Sequence, residues 1–150
     1  MSSELSKDAK WLYACDAMAD LFSTCARKKY AAFVIDQFGM SVGFGYNGAP
    51  SGHKHCVDGG CGRAFSDVPH GSQYDSGDGA CVAVHAEHNA LFNTNPRVRP
   101  GSTLYVNGPP CEGCLKMMHV ARIRRCVYWY DAQYVEYDTS KYDVELVCLR

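Results

Sequence analysis

Leu5, Ala9, Leu12, Cys15, Ala19 and Phe22 stand three and four residues apart, the spacing that gathers side chains on one helical face. They predict an amphipathic helix running to about Thr24, with Trp11 and Met18 widening its apolar side as core packing. The period then changes. Ala31 to Asp36 and Ser41 to Tyr46 read as strands, joined as a hairpin around Gln37-Phe38-Gly39. A run of helix formers from about His85 to Asn93 predicts a second helix, and Thr103 to Asn107 a strand. Leu115, Met118 and Ala121 mark a third helix from about Cys111 to Val120. Strands follow at Arg125 to Tyr130 and at Val144 to Leu149, while Asp131 to Tyr142 has no clear period. An opening hairpin followed by strand–helix–strand alternation implies an α/β chain, a mixed sheet with helices on both faces.

Between Asn47 and Gly79 the pattern fails. The stretch from about 48 to 80 is a Gly-, His- and Cys-bearing insertion, and a loop of that length in a compact domain is usually functional. At 150 residues the chain is expected to form one domain, 1–150, with a single sizeable core. A net charge of −1 provides no basic excess, so a nucleic-acid binder is not expected. The opening residues carry no apolar signal segment, and nothing reads as membrane-spanning. Nine cysteines, an odd number, fit reduced thiols in a cytoplasmic setting better than a secreted disulfide scaffold.

Chemistry concentrates at two places, His85-Ala86-Glu87 and Pro110-Cys111-Glu112-Gly113-Cys114. Two thiolates three residues apart can hold one ion from a single helical turn, and His85 supplies a third ligand from elsewhere. A catalytic zinc wants three protein ligands and one open position for water. Glu87 is too close to His85 to be needed as a ligand and is placed to move protons. Both segments read as helix starts, Pro110 being welcome at a first helical position, and helix N-termini favour thiolates. The competing accounts are a structural zinc, or a redox Cys pair beside an unrelated His. The preceding Pro and the upstream H-x-E favour catalysis, because together they form the known signature of the zinc deaminases that act on nucleobases.

Further segments narrow the likeness. Gly45-Tyr46-Asn47-Gly48-Ala49-Pro50-Ser51-Gly52, His55-Cys56…Gly60-Cys61, Cys81…His85-Ala86-Glu87-His88-Asn89-Ala90 and Pro110 to Cys114 together resemble the deoxycytidylate (dCMP) deaminases, bacterial and viral members above all. The resemblance spans about Cys25 to Asp131. It implies a three-layer α/β/α, cytidine-deaminase-like fold with five strands and zinc carried on two helix N-termini. It implies hydrolysis of dCMP to dUMP and ammonia, feeding thymidylate synthesis. His85, Cys111 and Cys114 would hold the zinc, Glu87 would shuttle protons, and the Ala86 backbone would lie near the pyrimidine carbonyl. Asn47 would touch the deoxyribose, or serve as a turn residue before Gly48, or both.

The same resemblance implies a second, structural zinc on Cys25, Cys56, Cys61 and Cys81. Against it stand ordinary free thiols, or a site in which His53, His55 or His70 replaces one ligand. Cys15, Cys126 and Cys148 lie in apolar runs and are expected as small core residues. A nucleotide phosphate needs donors, and Arg27 with Lys29 is a candidate pair, against a plain solvated charge run. Tyr130 would sit near the base, or be a core tyrosine. Relatives of this kind are often hexamers activated by dCTP with magnesium and inhibited by dTTP, which makes Gly48, Ser51 and Gly52 effector candidates. The rivals are a deaminase of dCTP or of free cytidine, and a non-catalytic zinc protein that binds nucleotides. Glu87 argues against the last, since a structural site has no use for a carboxylate there.

Overall fold

The computed structural model describes residues 4–25, 27–50, 52–58 and 83–150. Helix α1 (Lys7–Phe22) starts at Ser6, whose hydroxyl accepts the Ala9 N–H at 3.1 Å. Such a cap satisfies one of the amides that a helix start leaves unpaired. Leu12, Cys15 and Ala19 of the predicted stripe are fully buried, whereas Leu5 and Phe22 at its two ends are exposed.

Strands β1 (Ala31–Ile35) and β2 (Ser41–Tyr46) form the expected hairpin. Strand β3 (Thr103–Val106) pairs antiparallel with β1, while β4 (Arg125–Trp129) and β5 (Glu145–Leu149) add in parallel. The result is one mixed five-stranded sheet in the order β2-β1-β3-β4-β5. Alternation along the strands sends Ala32, Val34, Leu104, Val106 and Cys126 to one face. There they meet Ala90 and Leu91 of helix α2 (Ala86–Phe92) and Leu115 and Met118 of helix α3 (Glu112–Val120). Ile35, Tyr105 and Val127 point to the opposite face, against Leu12 and Cys15 of α1. Two apolar layers on one sheet make the three-layer α/β/α arrangement expected from the pattern.

Two details change the sequence picture. Cys15 and Cys126 are buried core residues as expected, but Cys148 is exposed. It stands opposite Tyr128 on β5, which among the described residues is the outer strand with a neighbour on one side only. The stretch 131–143 is neither helix nor strand. It runs as a strap against α3, tucking Tyr137 and Tyr142 into the α2/α3 layer. No described helix is long and apolar enough to cross a membrane.

Candidate active site

Both chemistry-bearing segments start at one end of the sheet. The register pairs Ala31 with Tyr46 and Ala32 with Val106, so the start of β1 and the ends of β2 and β3 share that edge. Each segment reaches it by its own route. Beyond β2, Gly48 and Val84 form an isolated antiparallel bridge, with Val84 N–H donating to the Gly48 carbonyl at 2.8 Å. His85 follows at once as the N-cap of α2. Beyond β3, Asn107 to Pro110 leads directly into Cys111, the N-cap of α3.

α2 packs so tightly on β2 that there is no room for a side chain at Gly43 or Gly45. A Cβ added to Gly45 would meet backbone of α2, lying 2.6 Å from the Ala86 carbonyl oxygen and 2.7 Å from the Asn89 carbonyl carbon. One added to Gly43 would strike Thr94 and the Ala90 carbonyl. Glycine here serves close approach between backbones, and it sets the depth at which α2 presents His85.

The three ligand candidates converge. His85 Nδ1 lies 3.2 Å from Cys114 Sγ and 3.4 Å from Cys111 Sγ, and the two sulfurs are 3.5 Å apart. A tetrahedral zinc with N and S ligands separates its donor atoms by roughly 3.5–3.8 Å, so this triangle is slightly tight and of the right kind. Among the described residues these three are the one group with the donors and spacing to hold a metal ion. Their electrostatics agree. Hydrogen bonding from the Cys114 thiol, helped by His85 and opposed by burial, brings the Cys111 thiol down to about 4. The Cys114 thiol moves the other way, pushed up by Cys111 and then by burial. Each shift has the other sulfur as its main cause, and a cation bound between the sulfurs would compete with the thiol proton.

Glu87 is buried against the same cluster, with His85 and both cysteines among its electrostatic neighbours. Burial pushes its carboxyl up, and His85 opposes the shift. Ala86 beside it is also buried, in the first turn of α2.

The remaining candidates fall at varied places. Asn47 is buried, and its amide staples the chain: Oδ1 accepts the Tyr30 N–H at 2.9 Å and the Ser23 hydroxyl, while Nδ2 donates to the Lys28 carbonyl at 2.8 Å. Asn107 does the same one strand over, accepting the Ala31 N–H at 2.9 Å. Between them they fix the backbone of residues 28–31 at the site's edge. Arg27 and Lys29 are exposed there, whereas Lys28 pairs with Asp131 at 2.6 Å. Tyr130 is half-exposed beneath the Arg150 guanidinium, 4.0 Å above its ring, and borders a shallow depression with Tyr13 and Trp129. Gly52 is exposed in a turn at φ 89°.

For the second cysteine group the description is partial. Cys25 is buried, and the Val57 N–H donates to the Thr24 carbonyl at 3.0 Å, which brings the 3-10 turn Cys56–Asp58 beside it. Cys61, Cys81, His70, Ser51 and the Cys56 side chain lie outside the described residues.

Sequence reasoning missed the supports of α3. The hydroxyls of Tyr134 and Tyr137 both donate to the Pro110 carbonyl, at 3.0 and 2.9 Å. Tyr142 donates to Glu112, which also pairs with Lys141 at 3.2 Å, and His119 Nδ1 accepts the Asp143 N–H at 2.8 Å. One signal was available: five of the ten tyrosines, Tyr128, Tyr130, Tyr134, Tyr137 and Tyr142, fall in the last quarter of the chain.

A His-Cys-Cys triangle on two helix N-termini, with a buried carboxylate against it, defines the class of zinc-dependent nucleobase deaminases. Comparison with known proteins agrees. The model of the cytidine and deoxycytidylate deaminase zinc-binding region matches residues 5–130. The deoxycytidylate deaminase of Mycobacterium phage D29 is 43% identical over 107 residues, covering 71% of this chain and 81% of the phage protein. The deoxycytidylate deaminase of Schizosaccharomyces pombe is 31% identical over 71% of this chain, which spans only 32% of the yeast protein. In fold the chain resembles the dCMP deaminase of cyanophage S-TIM5, solved in complex with dCMP and dUMP. That match has a TM-score of 0.66 at 24% identity, covering 97% of this chain and 100% of the other. The chain belongs to the cytidine and deoxycytidylate deaminase family.

Proposed function

We propose that the chain hydrolyses the exocyclic amine of dCMP, releasing dUMP and ammonia. The observation that carries this reading is the His85–Cys111–Cys114 triangle with Glu87 buried against it. The names of the phage and yeast relatives, and the nucleotides in the cyanophage complex, support dCMP as the substrate. His85 Nδ1 and the two sulfurs would hold zinc, which when bound lowers the pKa of water enough to supply a nucleophile near neutral pH. Glu87 takes a proton from the attacking water, delivers it to ring N3 as the bond to C4 forms, and carries a further proton to the departing amine. A carboxylate excluded from bulk solvent keeps that proton on the reaction path. The first turn of α2 provides the Ala86 backbone for the pyrimidine carbonyl.

Around that core we place the finer assignments. Asn47 faces the deoxyribose while stapling the edge of the site, Arg27 and Lys29 receive the phosphate, and Tyr130 is the aromatic at the base side. Cys25, Cys56, Cys61 and Cys81 hold a second, structural zinc; the nearness of the 56–58 turn to Cys25 supports this. Activation by dCTP with magnesium and inhibition by dTTP would act through Gly48, Ser51 and Gly52 in a cytoplasmic homohexamer that supplies dUMP for thymidylate synthesis. The bridge between Gly48 and Val84 supports that route, because it ties the loop to the residue before His85.

The test is an ammonia-release assay on dCMP, dCTP and cytidine, with wild type and Glu87→Gln. Expected are turnover of dCMP by the wild type and none by the variant, which keeps its full zinc. A zinc-loaded wild type that leaves dCMP unchanged would overturn the proposal, and a fully active Glu87→Gln would remove Glu87 from the chemistry.

A further inference from the structure

The strap at 131–143 ends two of its side chains on one atom. Tyr134 and Tyr137, whose rings meet edge to face with centroids 6.0 Å apart, both point their hydroxyls at the Pro110 carbonyl oxygen. A carbonyl oxygen offers two lone pairs, enough to accept both hydroxyls at once. Pro110 itself is almost fully buried. Its carbonyl belongs to the peptide that enters Cys111, and that peptide is planar, so fixing the oxygen fixes the plane from which the Cys111 Cα departs. Cys111 is the N-cap of α3, so the peptide held by the strap is the one that leads into the helix. On the other side, Gly108 lies under the Tyr30 ring, where an added Cβ would come within 3.0 Å of Cζ, so the approach to Pro110 is packed from both directions.

We infer that Tyr134 and Tyr137 are positioning residues for the metal ligand Cys111, a two-hydroxyl clamp on the Pro110 carbonyl that holds the Cys111 sulfur within reach of His85 Nδ1 and Cys114. The inference rests on the proposed zinc site and extends it to the strap. Groups that orient metal ligands commonly contribute ten- to a hundredfold in affinity or activity. A clamp on the peptide before the ligand acts in the same sense, by lowering the freedom of one sulfur and not by contacting the ion. Two hydroxyls on one oxygen also make each partly redundant. Single removals are therefore expected to be mild and the double removal severe.

The experiment uses the zinc-loaded protein and the variants Tyr134→Phe, Tyr137→Phe and the double variant, which keep the rings and remove only the hydroxyls. Zinc release into a chromogenic chelator is followed while aliquots are assayed with dCMP, so that the release phase tracking loss of turnover is assigned to the catalytic ion. The double variant is expected to release that ion roughly tenfold faster or more. Its turnover per total protein should fall in step with the zinc lost while turnover per bound zinc and KM for dCMP stay near the wild-type values, and each single variant's release rate should move less than half as far on a logarithmic scale. Melting of the zinc-loaded protein is measured in parallel. Release at the wild-type rate from the double variant would overturn the clamp, and so would faster release fully accounted for by a lowered melting temperature. A wild type that binds no zinc at His85, Cys111 and Cys114 would instead overturn the proposed site, a failure visible before any variant is made.

Discussion

Gly45→Ala tests the contact that sets the depth of α2. On a strand with room beside it, Gly→Ala stabilises a protein by about 0.4–1 kcal/mol, because the unfolded chain loses freedom. At Gly45 the sign should reverse. The new methyl would lie 2.6 Å from the Ala86 carbonyl oxygen and 2.7 Å from the Asn89 carbonyl carbon, and it would also meet the Ala90 nitrogen. Ordinary contacts of these types are roughly 3.3–3.5 Å, and the Ala90 nitrogen is the nearest atom of the three, so α2 has to retreat by roughly 1 Å. These are backbone atoms, so no side chain can turn aside to make room. Overpacking of this kind costs about 1–3 kcal/mol, which for a chain of this size lowers the melting temperature by roughly 2–12 °C. The same retreat carries His85 and Glu87 off their positions, and an error near 1 Å in a catalytic group can cost about a hundredfold, or about 2.7 kcal/mol of transition-state stabilisation. The assay is thermal melting with steady-state dCMP kinetics, and Ser41→Ala on the exposed start of the same strand serves as the control. If Gly45→Ala melts at or above the wild-type temperature and keeps its kcat, the helix does not sit on β2 as argued.

Three further predictions follow from other contacts. Asp8 accepts both Nη groups of Arg125, at 3.0 and 2.7 Å, and the Tyr105 hydroxyl at 2.6 Å, and the guanidinium holds its carboxyl below the usual carboxylate range. Its contribution is therefore complete above the unfolded value of about 3.9 and is lost as pH falls through the lower folded value. Asp8→Asn should cost about 1 kcal/mol near neutral pH after solvent screening, with the gap to wild type closing under acid; a pH series of urea melts checks this, and a gap that persists at low pH refutes it. Asn47→Ala removes the acceptor of the Tyr30 N–H and the donor to the Lys28 carbonyl and should cost about 2–4 kcal/mol, read by denaturant unfolding. Cys114→Ser should lose the catalytic zinc on dialysis and all turnover while Cys126→Ser keeps both, checked by metal analysis against protein concentration.

Periodicity carried most of the fold. The apolar runs of β1, β3 and β4 and the three-and-four spacing in α1 and α3 report burial, and burial is what the two layers on the sheet are made of. The three candidate metal ligands, which the structure brings together, were legible too, because a C-x-x-C after a proline and an H-x-E have few uses other than holding and serving an ion. What stayed hidden was support. Tyr134, Tyr137 and Tyr142 occur in a stretch without period, since a strap obeys side-chain hooks and not a backbone repeat. Gly43 and Gly45 read as ordinary strand glycines until the helix lying on them is seen. Cys148 misled for the reverse reason: it lies in an apolar run, and nothing local to it says that β5 has no neighbour beyond among the described residues.

The site is held together by two unlike devices, and that decides how it should fail. His85 and Cys111 are separated by 26 residues of sequence and meet only because their helices start at one edge of the sheet. α2 is placed from below by the absence of side chains at Gly43 and Gly45, a steric limit that cannot be relaxed without moving the whole helix. α3 is placed from the side by hydroxyls and a carboxylate, contacts that can be loosened one at a time. Damage under α2 therefore displaces the proposed proton carrier Glu87 together with the proposed ligand His85, so chemistry and metal retention should fall together. Damage in the strap reaches Cys111 alone and leaves Glu87 on its seat, so the ion escapes sooner while the protein that still holds it works. A strap variant whose zinc-loaded fraction turned over at the wild-type rate would thus fit the architecture only if its loss lay wholly in release. A Gly45 variant with that same profile would contradict it.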